Sequence, residues 1–100
     1  MLSIVVPARN EADNLKDILK YFNNKLKNIE FEVILVNDFS EDDTLLTAKK
    51  LFESHSCFKV FDNNKKGLGG AINLGIEKSK GTKVSIMMAD LSDDIDDLIR

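Results

Sequence analysis

Short apolar runs alternate with longer amphipathic stretches along the whole chain. Four of these runs have the length of strands, and the first is apolar and β-branched, which is typical of a strand buried in a parallel sheet. The runs are residues 2–6, 31–36, 58–61 and 82–88. Between the first two runs, Leu15, Ile18 and Phe22 recur at spacings of three and four, which places them on one face of a helix.

Comparable stretches follow the second and third runs, and residues 95–100 begin another. Asn10 is the predicted N-cap of the first helix, and Ser40 with Asp43 three residues later predicts a capping box at the second. One face of the third helix is predicted to be buried, with the members Leu68, Ala71, Ile72, Gly75 and Ile76. The regular alternation of strand and helix predicts a three-layer α/β/α domain with at least four parallel strands.

The composition is that of one folded domain. Hydrophobic residues make up 43% of the 100 residues and charged residues 31%, which excludes a disordered chain. No apolar run approaches the roughly 20 residues that cross a bilayer. No signal peptide is recognisable, because the apolar residues after Ser3 end at Pro7, so the predicted location is the cytoplasm. The net charge of −3 argues against a nucleic-acid partner.

Polar side chains follow every predicted strand at the point where the strand ends. In chain order these segments are residues 7–11, 37–38, 63–67 and 90–94. The carboxyl ends of parallel strands meet at one edge of a sheet, and ligands of open parallel sheets bind there. A single polar residue at such a position would be an ordinary helix cap, but four polar segments on one edge predict a ligand site.

The residue types at this edge suit a nucleotide and its phosphates. The carboxylates of Glu11 and Asp38 can accept hydrogen bonds from ribose hydroxyls or from a base N–H. Asp90 can bind Mg²⁺ or Mn²⁺ through oxygen, and such cations usually accompany phosphates. Lys66 and the helix that starts at Gly67 offer positive charge and backbone N–H groups to a phosphate. Together these features predict an activated-sugar nucleotide as the ligand.

The glycines within residues 67–70 leave two alternatives open. They begin like a dinucleotide-binding fingerprint, but Ile72 replaces its last glycine and the loop follows the third strand instead of the first. A structural role, in which the glycines let a helix start close to the sheet, also fits.

Four segments carry motifs in a fixed order. Residues 3–11 match V-V-P-x-x-N-E, residues 36–44 match V-D-D-x-S-x-D-x-T, residues 66–75 match G-x-x-x-A-x-N-x-G, and residues 81–94 match a segment ending in the metal-binding D-x-D. With these motifs the chain resembles the inverting family-2 glycosyltransferases, most of all the polyprenyl-phosphate (dolichyl-phosphate) mannosyl- and glucosyltransferase branch. The resemblance implies a Rossmann-like (GT-A) nucleotide-binding half with strand order 3-2-1-4. It also implies that residues 1–100 are the N-terminal part of a longer domain.

The resemblance further implies which residues hold the nucleotide sugar. The first four lie near the nucleoside, the next two contact the base, two lie near the diphosphate, and two lie beside the ribose and the metal-bound phosphates. In that order they are Pro7, Arg9, Asn10 and Glu11, then Val36 and Asp38, then Lys66 and Gly67, then Ala89 and Asp90. Asp90 would also hold the divalent cation, Mg²⁺ or Mn²⁺.

Two departures from the family pattern matter. Asn37 stands where the second motif has its first Asp, which changes the charge but not the size. Met88 stands where D-x-D has its first Asp, and a thioether is a poor ligand for a hard cation. The general base of the family comes from a later acidic segment that these 100 residues do not contain. We therefore expect the segment to bind the donor and to be inactive by itself.

The expected activity is transfer of a sugar, with inversion, from a UDP- or GDP-sugar to a polyprenyl phosphate or glycan, at the cytoplasmic face of a membrane. The fourth strand would keep an exposed edge, so copies of the chain would associate through it or residues 95–100 would cover it. A sugar-1-phosphate nucleotidyltransferase is one alternative, but it would need a glycine-rich loop after the first strand, and residues 7–11 contain no glycine. A non-catalytic nucleotide-binding module is the other, and Met88 favours it.

Overall fold

The computed structural model of the chain describes residues 1–64 and 67–89. The strands are β1 (Leu2–Ala8), β2 (Phe31–Asn37), β3 (Phe58–Asp62) and β4 (Lys83–Ile86). The helices are α1 (Leu15–Lys25), α2 (Thr44–Phe52) and α3 (Leu68–Lys78), and a 3-10 turn (Ala12–Asn14) precedes α1. None of these described helices is long and apolar enough to cross a bilayer. The helix predicted at residues 95–100 lies outside the described residues.

The four strands form one parallel sheet in the order β3-β2-β1-β4, which confirms the predicted order. All seven residues of the central strand β1 are buried. β4 is shorter than the predicted run of residues 82–88, because its pairing with β1 stops early. The Met87 N–H still donates to the Val5 carbonyl at 2.9 Å. The next bond of this ladder would need an N–H from Pro7, and proline has none.

The sheet buries a different apolar cluster on each face. On one face Ile4 and Val6 of β1 lie in a cluster with Val33 and Leu35 of β2. That cluster is completed by residues of α1 and α2, which include Leu15, Ile18, Phe22, Ala48 and Phe52. On the other face Ile34 and Val36 of β2 pack with Ala71 of α3. Helices therefore cover both faces, and the three-layer α/β/α architecture is confirmed.

Helix α3 lies unusually close to the sheet at Gly75. A Cβ added to Gly75 would lie 2.2 Å from Cγ1 of Val5, so no larger residue fits there without displacing the Val5 side chain of β1. The buried residues of α3 are Ala71 and Gly75. The prediction that Leu68 and Ile76 share this buried face is wrong, because their side chains are 50% and 44% exposed. Ile76 follows Gly75 by about 100° around the helix and so points away from the sheet.

The predicted helix caps are also wrong. Asn10 does not cap α1, which begins only at Leu15 after the 3-10 turn. Ser40 does not cap α2, whose N-cap residue is Asp43 with no side-chain capping bond. The side chains of Asn10 and Ser40 instead accept hydrogen bonds from backbone N–H groups of each other's loops. Polar residues at these strand ends join loops and do not start helices.

A closed polar network lies at the amino ends of the strands. Glu32 is 2% exposed, and its oxygens accept hydrogen bonds from Ser3 Oγ (2.6 Å), the Lys80 N–H (2.6 Å) and Lys59 Nζ (2.9 Å). Burial raises the pKa of this carboxyl, but the hydrogen bonds from Lys59, Ser3 and Lys80, with the charge of Lys59, outweigh it. The pKa of Glu32 therefore lies below its ordinary value of 4.5.

Gly81 completes this network and attaches the start of β4 to β1. Its N–H donates to Ser3 Oγ at 2.7 Å. A Cβ at Gly81 would lie 2.4 Å from that same oxygen and 2.6 Å from the carbonyl oxygen of Met1. The close approach of the two backbones therefore requires glycine at this position.

Candidate functional site

The loops that leave β1 and β2 are joined by side-chain hydrogen bonds. The Asn10 N–H donates to Ser40 Oγ at 2.9 Å, and the Ser40 hydroxyl donates to Asn37 Oδ1 at 2.6 Å. Asn10 Oδ1 accepts a hydrogen bond from the Glu41 N–H at 2.7 Å. Asn10 and Phe39 have φ values of 56° and 54°, in the left-handed region that non-glycine residues rarely adopt. The two loops are thus held as one unit at the carboxyl edge of the sheet.

Thr44, the first residue of α2, fixes the backbone of Glu11. Its buried hydroxyl accepts a hydrogen bond from the Glu11 N–H at 3.0 Å and bonds to Asp42 Oδ1. The Thr44 hydroxyl, assisted by the N–H groups of Thr44 and Ala12, lowers the pKa of Asp42 against the opposing effect of burial. Glu11 Oε2 accepts from Asn14 Nδ2 at 2.5 Å. The Glu11 carboxylate is therefore held in a fixed place beside the end of β1.

Asp38 joins the end of β2 to the start of α3. Its side chain is 7% exposed, and Oδ1 accepts hydrogen bonds from Asn63 Nδ2 and from the Gly67 N–H, both at 3.1 Å. Gly67 has a φ of 122°, which favours glycine, and α3 begins at the next residue. One carboxylate therefore sets the positions of three segments that meet at this edge.

These segments surround an open cleft of about 130 Å³ at the carboxyl ends of the strands. Its lining residues are Pro7, Ala8, Arg9, Glu11, Asp38, Leu68, Met88 and Ala89. The described lining combines one cation, two carboxylates and several apolar side chains. Such a mixture suits a ligand that has a flat apolar part, hydroxyl groups and negative charge.

Five of the ten predicted site residues line the cleft, namely Pro7, Arg9, Glu11, Asp38 and Ala89. Three others lie close by but outside the lining. Asn10 accepts a hydrogen bond from the Glu41 N–H, Val36 is fully buried in the cluster beneath α3, and the Gly67 N–H donates to Asp38. Lys66 and Asp90 lie outside the described residues.

The sequence prediction did not name Leu68 as a site residue, and it included Asn63 only as a member of the polar segment 63–67. Leu68 is predicted to lie in the helix core, but it is the exposed first residue of α3 and its side chain lines the cleft. The signal that could have revealed it is an apolar residue directly after the loop glycine. Asn63 is 4% exposed and bonded to Asp38. Nothing in its spacing distinguishes it from exposed Asn64.

The described lining does not by itself fit a divalent cation. Residues 1–64 and 67–89 contain no group of three or more His, Cys, Asp or Glu side chains that could hold a metal. Met88 brings a thioether to the cleft, which a hard cation binds poorly. The predicted ligand Asp90 lies beyond the described part of the chain.

A sequence-family model described as "Glycosyl transferase family 2" matches residues 3–100. The dolichol-phosphate mannosyltransferase of Pyrococcus furiosus is 29% identical over 90 residues, which are 90% of this chain and 26% of that protein. The dolichyl-phosphate beta-glucosyltransferase of Mus musculus is 37% identical over 100 aligned positions, which are 89% of this chain and 30% of that protein. The chain thus spans less than a third of either relative.

A mannosyltransferase from Pyrobaculum calidifontis, solved in complex with GDP-Man and Mn²⁺, has the same fold as this chain. The two superpose with a TM-score of 0.76 at 24% sequence identity, over 89% of this chain and 27% of that one. The likeness confirms the Rossmann-like GT-A fold expected from the motifs.

Proposed function

Because the chain belongs to glycosyl transferase family 2, we propose that its cleft binds a nucleoside-diphosphate sugar and that the protein transfers the sugar, with inversion, to an acceptor. The observation that carries this proposal is the convergence of Arg9, Glu11 and Asp38 on one cleft at the carboxyl ends of β1 and β2. Parallel α/β sheets bind nucleotides at this edge. In the proposed site, the segment holds the donor, and the general base comes from outside residues 1–100.

Each charged side chain of the cleft has a proposed task. Asp38 Oδ1 accepts from Asn63 and Gly67, so Oδ2 is the atom proposed to accept a base N–H. Glu11, held through its backbone by Thr44, would accept from a ribose hydroxyl. Arg9, predicted to lie near the nucleoside, is the cation of the described lining and would also offset negative charge on the diphosphate. Lys66 is proposed to assist Arg9 there.

A polyprenyl phosphate is the proposed acceptor. The names of the Pyrococcus and mouse relatives, a dolichol-phosphate and a dolichyl-phosphate transferase, support this choice over a free glycan. An acceptor of this kind is anchored in a bilayer, so the protein would work at a membrane surface, and the cytoplasmic face is the side that we propose.

A divalent cation, Mg²⁺ or Mn²⁺, is proposed to bind together with the nucleotide at Asp90. The Mn²⁺ in the Pyrobaculum complex supports this cofactor, whereas Met88 in the cleft argues that the protein alone holds the ion weakly. Mn²⁺ affinity should therefore rise when nucleotide is present, and linkage requires an equal rise in nucleotide affinity. Titrations of Mn²⁺ with and without nucleotide measure this coupling. Equal affinities, or tight binding that survives Asp90→Ala, would contradict it.

Self-association through β4 is also proposed. Among the described strands β4 pairs with β1 alone, and Val84 and Ile86 are more than a third exposed. An unpaired strand edge can pair with another chain. Analytical ultracentrifugation should detect dimers, and a strictly monomeric protein at all concentrations would contradict this proposal.

Two other functions have less support. A sugar-1-phosphate nucleotidyltransferase would need a glycine-rich phosphate loop after β1, and residues 7–11 contain no glycine. A nucleotide-binding module without catalysis is favoured by one observation, the Met88 thioether in the cleft.

A thermal-shift panel of UDP, GDP, CDP and dTDP, each with Mn²⁺ and with EDTA, tests the proposed function. A ligand at a hundredfold excess over Kd raises stability by about 2.7 kcal/mol. One nucleotide should stabilise the wild type, and Asp38→Ala should weaken its binding by roughly 1.5–3 kcal/mol for one lost charged hydrogen bond. Asp17→Ala, an exposed aspartate on α1, is the matched control and should bind normally. No stabilisation by any of the four nucleotides would overturn the proposal.

A further inference from the structure

Asn63 is a buried polar residue that has no proposed contact with the nucleotide. It follows β3 directly and is 4% exposed. Its backbone N–H donates to the Asn37 carbonyl at 2.9 Å, so the backbone of Asn63 extends the pairing between β2 and β3 by one bond. Its side chain therefore leaves from a fixed point of the sheet.

The Asn63 amide nitrogen contacts two parts of the candidate site. It donates to Asp38 Oδ1 at 3.1 Å and to the Gly67 carbonyl at 3.4 Å. A side-chain amide nitrogen carries two hydrogens, so both bonds can form together. The Gly67 N–H also donates to Asp38 Oδ1 at 3.1 Å. Asn63, Asp38 and Gly67 thus form a closed triangle of hydrogen bonds.

This triangle fixes Asp38, which among the described carboxylates of the cleft is the almost fully buried one. A carboxylate removed from water needs donors to replace its hydration, and here the amide and the Gly67 N–H supply them to Oδ1. With Oδ1 held by two donors, the plane of the carboxylate and the direction of Oδ2 are set before any ligand arrives. Leu68, which follows Gly67, is placed in the cleft by the same contacts.

We propose that Asn63 is a positioning residue of the nucleotide site, which orients the Asp38 carboxylate toward the base and holds the start of α3 beside it. The inference rests on the proposed function, because it assigns Asn63 a role in binding the same nucleotide. Asn63 lies outside the cleft lining and acts through its bond to Asp38.

Asn63→Asp is the sharpest test, because it replaces the donor NH₂ by a second carboxylate oxygen without changing the size of the side chain. Two carboxylates about 3 Å apart do not both ionise readily, and they share one proton as the pH falls. At pH 8 the variant should lose at least about tenfold in affinity for the stabilising nucleotide, the size of one charge-assisted hydrogen bond. Near pH 5.5 the shared proton restores a donor to Asp38, and the ratio to wild-type affinity should recover.

Two further variants separate positioning from a general effect of charge or folding. Asn64→Asp makes the same chemical change at the next residue, which is exposed, and should stay within about twofold of wild type at both pH values. Asn63→Ala removes the donor without adding charge, so its loss of affinity should not recover at low pH. Arg9 and Glu11 in the cleft, and Asp62 bonded to Asn37, are unchanged in every variant and contribute equally to all of them.

Calorimetric affinities of the folded variants decide the outcome. Asn63→Asp with wild-type affinity at pH 8, or Asn63→Ala with wild-type affinity, would overturn the role of Asn63 while the proposed function stands. A wild type that binds no nucleoside diphosphate would overturn the proposed function and the role of Asn63 with it. If Asn63→Asp loses as much nucleotide affinity near pH 5.5 as at pH 8, the cause is a structural defect, and this result would also overturn the positioning role.

Discussion

The two ends of the parallel sheet both carry polar side chains, but these side chains are bonded in different ways. At the amino end, Glu32 is buried and its hydrogen bonds connect Ser3, Lys59 and the backbone of Lys80 into a closed set. At the carboxyl end, the side chain of Asn10 joins two loops. Other polar residues there, Arg9, Glu11 and Asp38, line an open cleft.

The two ends of the sheet also differ in backbone conformation. The described residues with positive φ are Asn10, Phe39 and Gly67, and all three lie in loops at the carboxyl end. Backbone strain of this kind persists where surrounding contacts impose it, and it is concentrated at functional sites. Polar residues at the amino end therefore stabilise the fold, whereas those at the carboxyl end lie around the candidate site.

The largest expected effect is at the amino end, from Gly81→Ala. The added Cβ would lie 2.4 Å from Ser3 Oγ and 2.6 Å from the Met1 carbonyl oxygen, so β1 and the start of β4 must separate. We expect a loss of about 3 kcal/mol in the free energy of unfolding, measured with urea. Nucleotide affinity of the folded fraction should not change, because the cleft is at the opposite end.

Gly69→Ala is the matched control for that variant. No atom lies within 4 Å of a Cβ added at Gly69, and the residue lies within helix α3. Alanine there should stabilise the protein by about 0.5–1 kcal/mol through its higher helix propensity. Equal stability losses in Gly69→Ala and Gly81→Ala would show that the amino-end network is not the cause.

Glu32→Gln should have the next largest effect, a loss of roughly 1.5–3 kcal/mol near neutral pH, because a charged, buried hydrogen-bond acceptor is replaced. The pKa of Glu32 is lowered by folding, so the unfolded chain takes up the proton first as the pH falls. The stability that Glu32 contributes is complete well above 4.5 and is lost as the pH drops through the lower, folded pKa.

Urea unfolding of wild type and Glu32→Gln across this pH range measures the difference directly. The two stability profiles should be far apart at neutral pH and converge in acid. Parallel profiles, with a constant gap down to the lowest pH, would show that the ionised form of Glu32 is not what stabilises the network.

Arg9→Ala should have the smallest effect on stability and should act on binding instead. Arg9 is exposed at the rim of the cleft, so the free energy of unfolding should change by less than about 0.5 kcal/mol. Nucleotide affinity should fall about tenfold, or about 1.4 kcal/mol, as one cation near the diphosphate is lost. Lys16→Ala removes the same charge from an exposed position on α1 and should leave calorimetric affinity unchanged. Equal affinities in both variants would remove Arg9 from the site.

The sheet was predictable because its two inner strands, β1 and β2, are buried on both faces. Continuous apolar runs and helical spacings such as Leu15, Ile18 and Phe22 leave few alternatives to a parallel α/β sheet, and the motifs supplied the strand order. The position of the cleft followed from that order, since the carboxyl ends of β1 and β2 must be adjacent.

The tasks of individual polar residues were less predictable. Asn10 and Ser40 have the residue types and positions of helix caps, and only the approach of the neighbouring loop shows that they bond to each other's segments. Asn63 and Asn64 are identical in type and adjacent in sequence, yet one is buried against Asp38 and the other is exposed. A polar side chain at a strand end can cap, join loops or bind a ligand, and spacing alone does not distinguish these tasks.

The most direct test of the contrast between the two ends is an NMR titration of the amide resonances with the nucleoside diphosphate that stabilises the protein most. The resonances of Arg9, Glu11, Asp38, Leu68 and Ala89 should shift, because these residues line the cleft. Those of Ser3, Glu32, Lys59 and Gly81 should stay in place, because their network is closed and lies at the other end of the sheet. Shifts confined to the amino end, or a saturating ligand that leaves the cleft residues unmoved, would contradict a nucleotide site at the carboxyl edge.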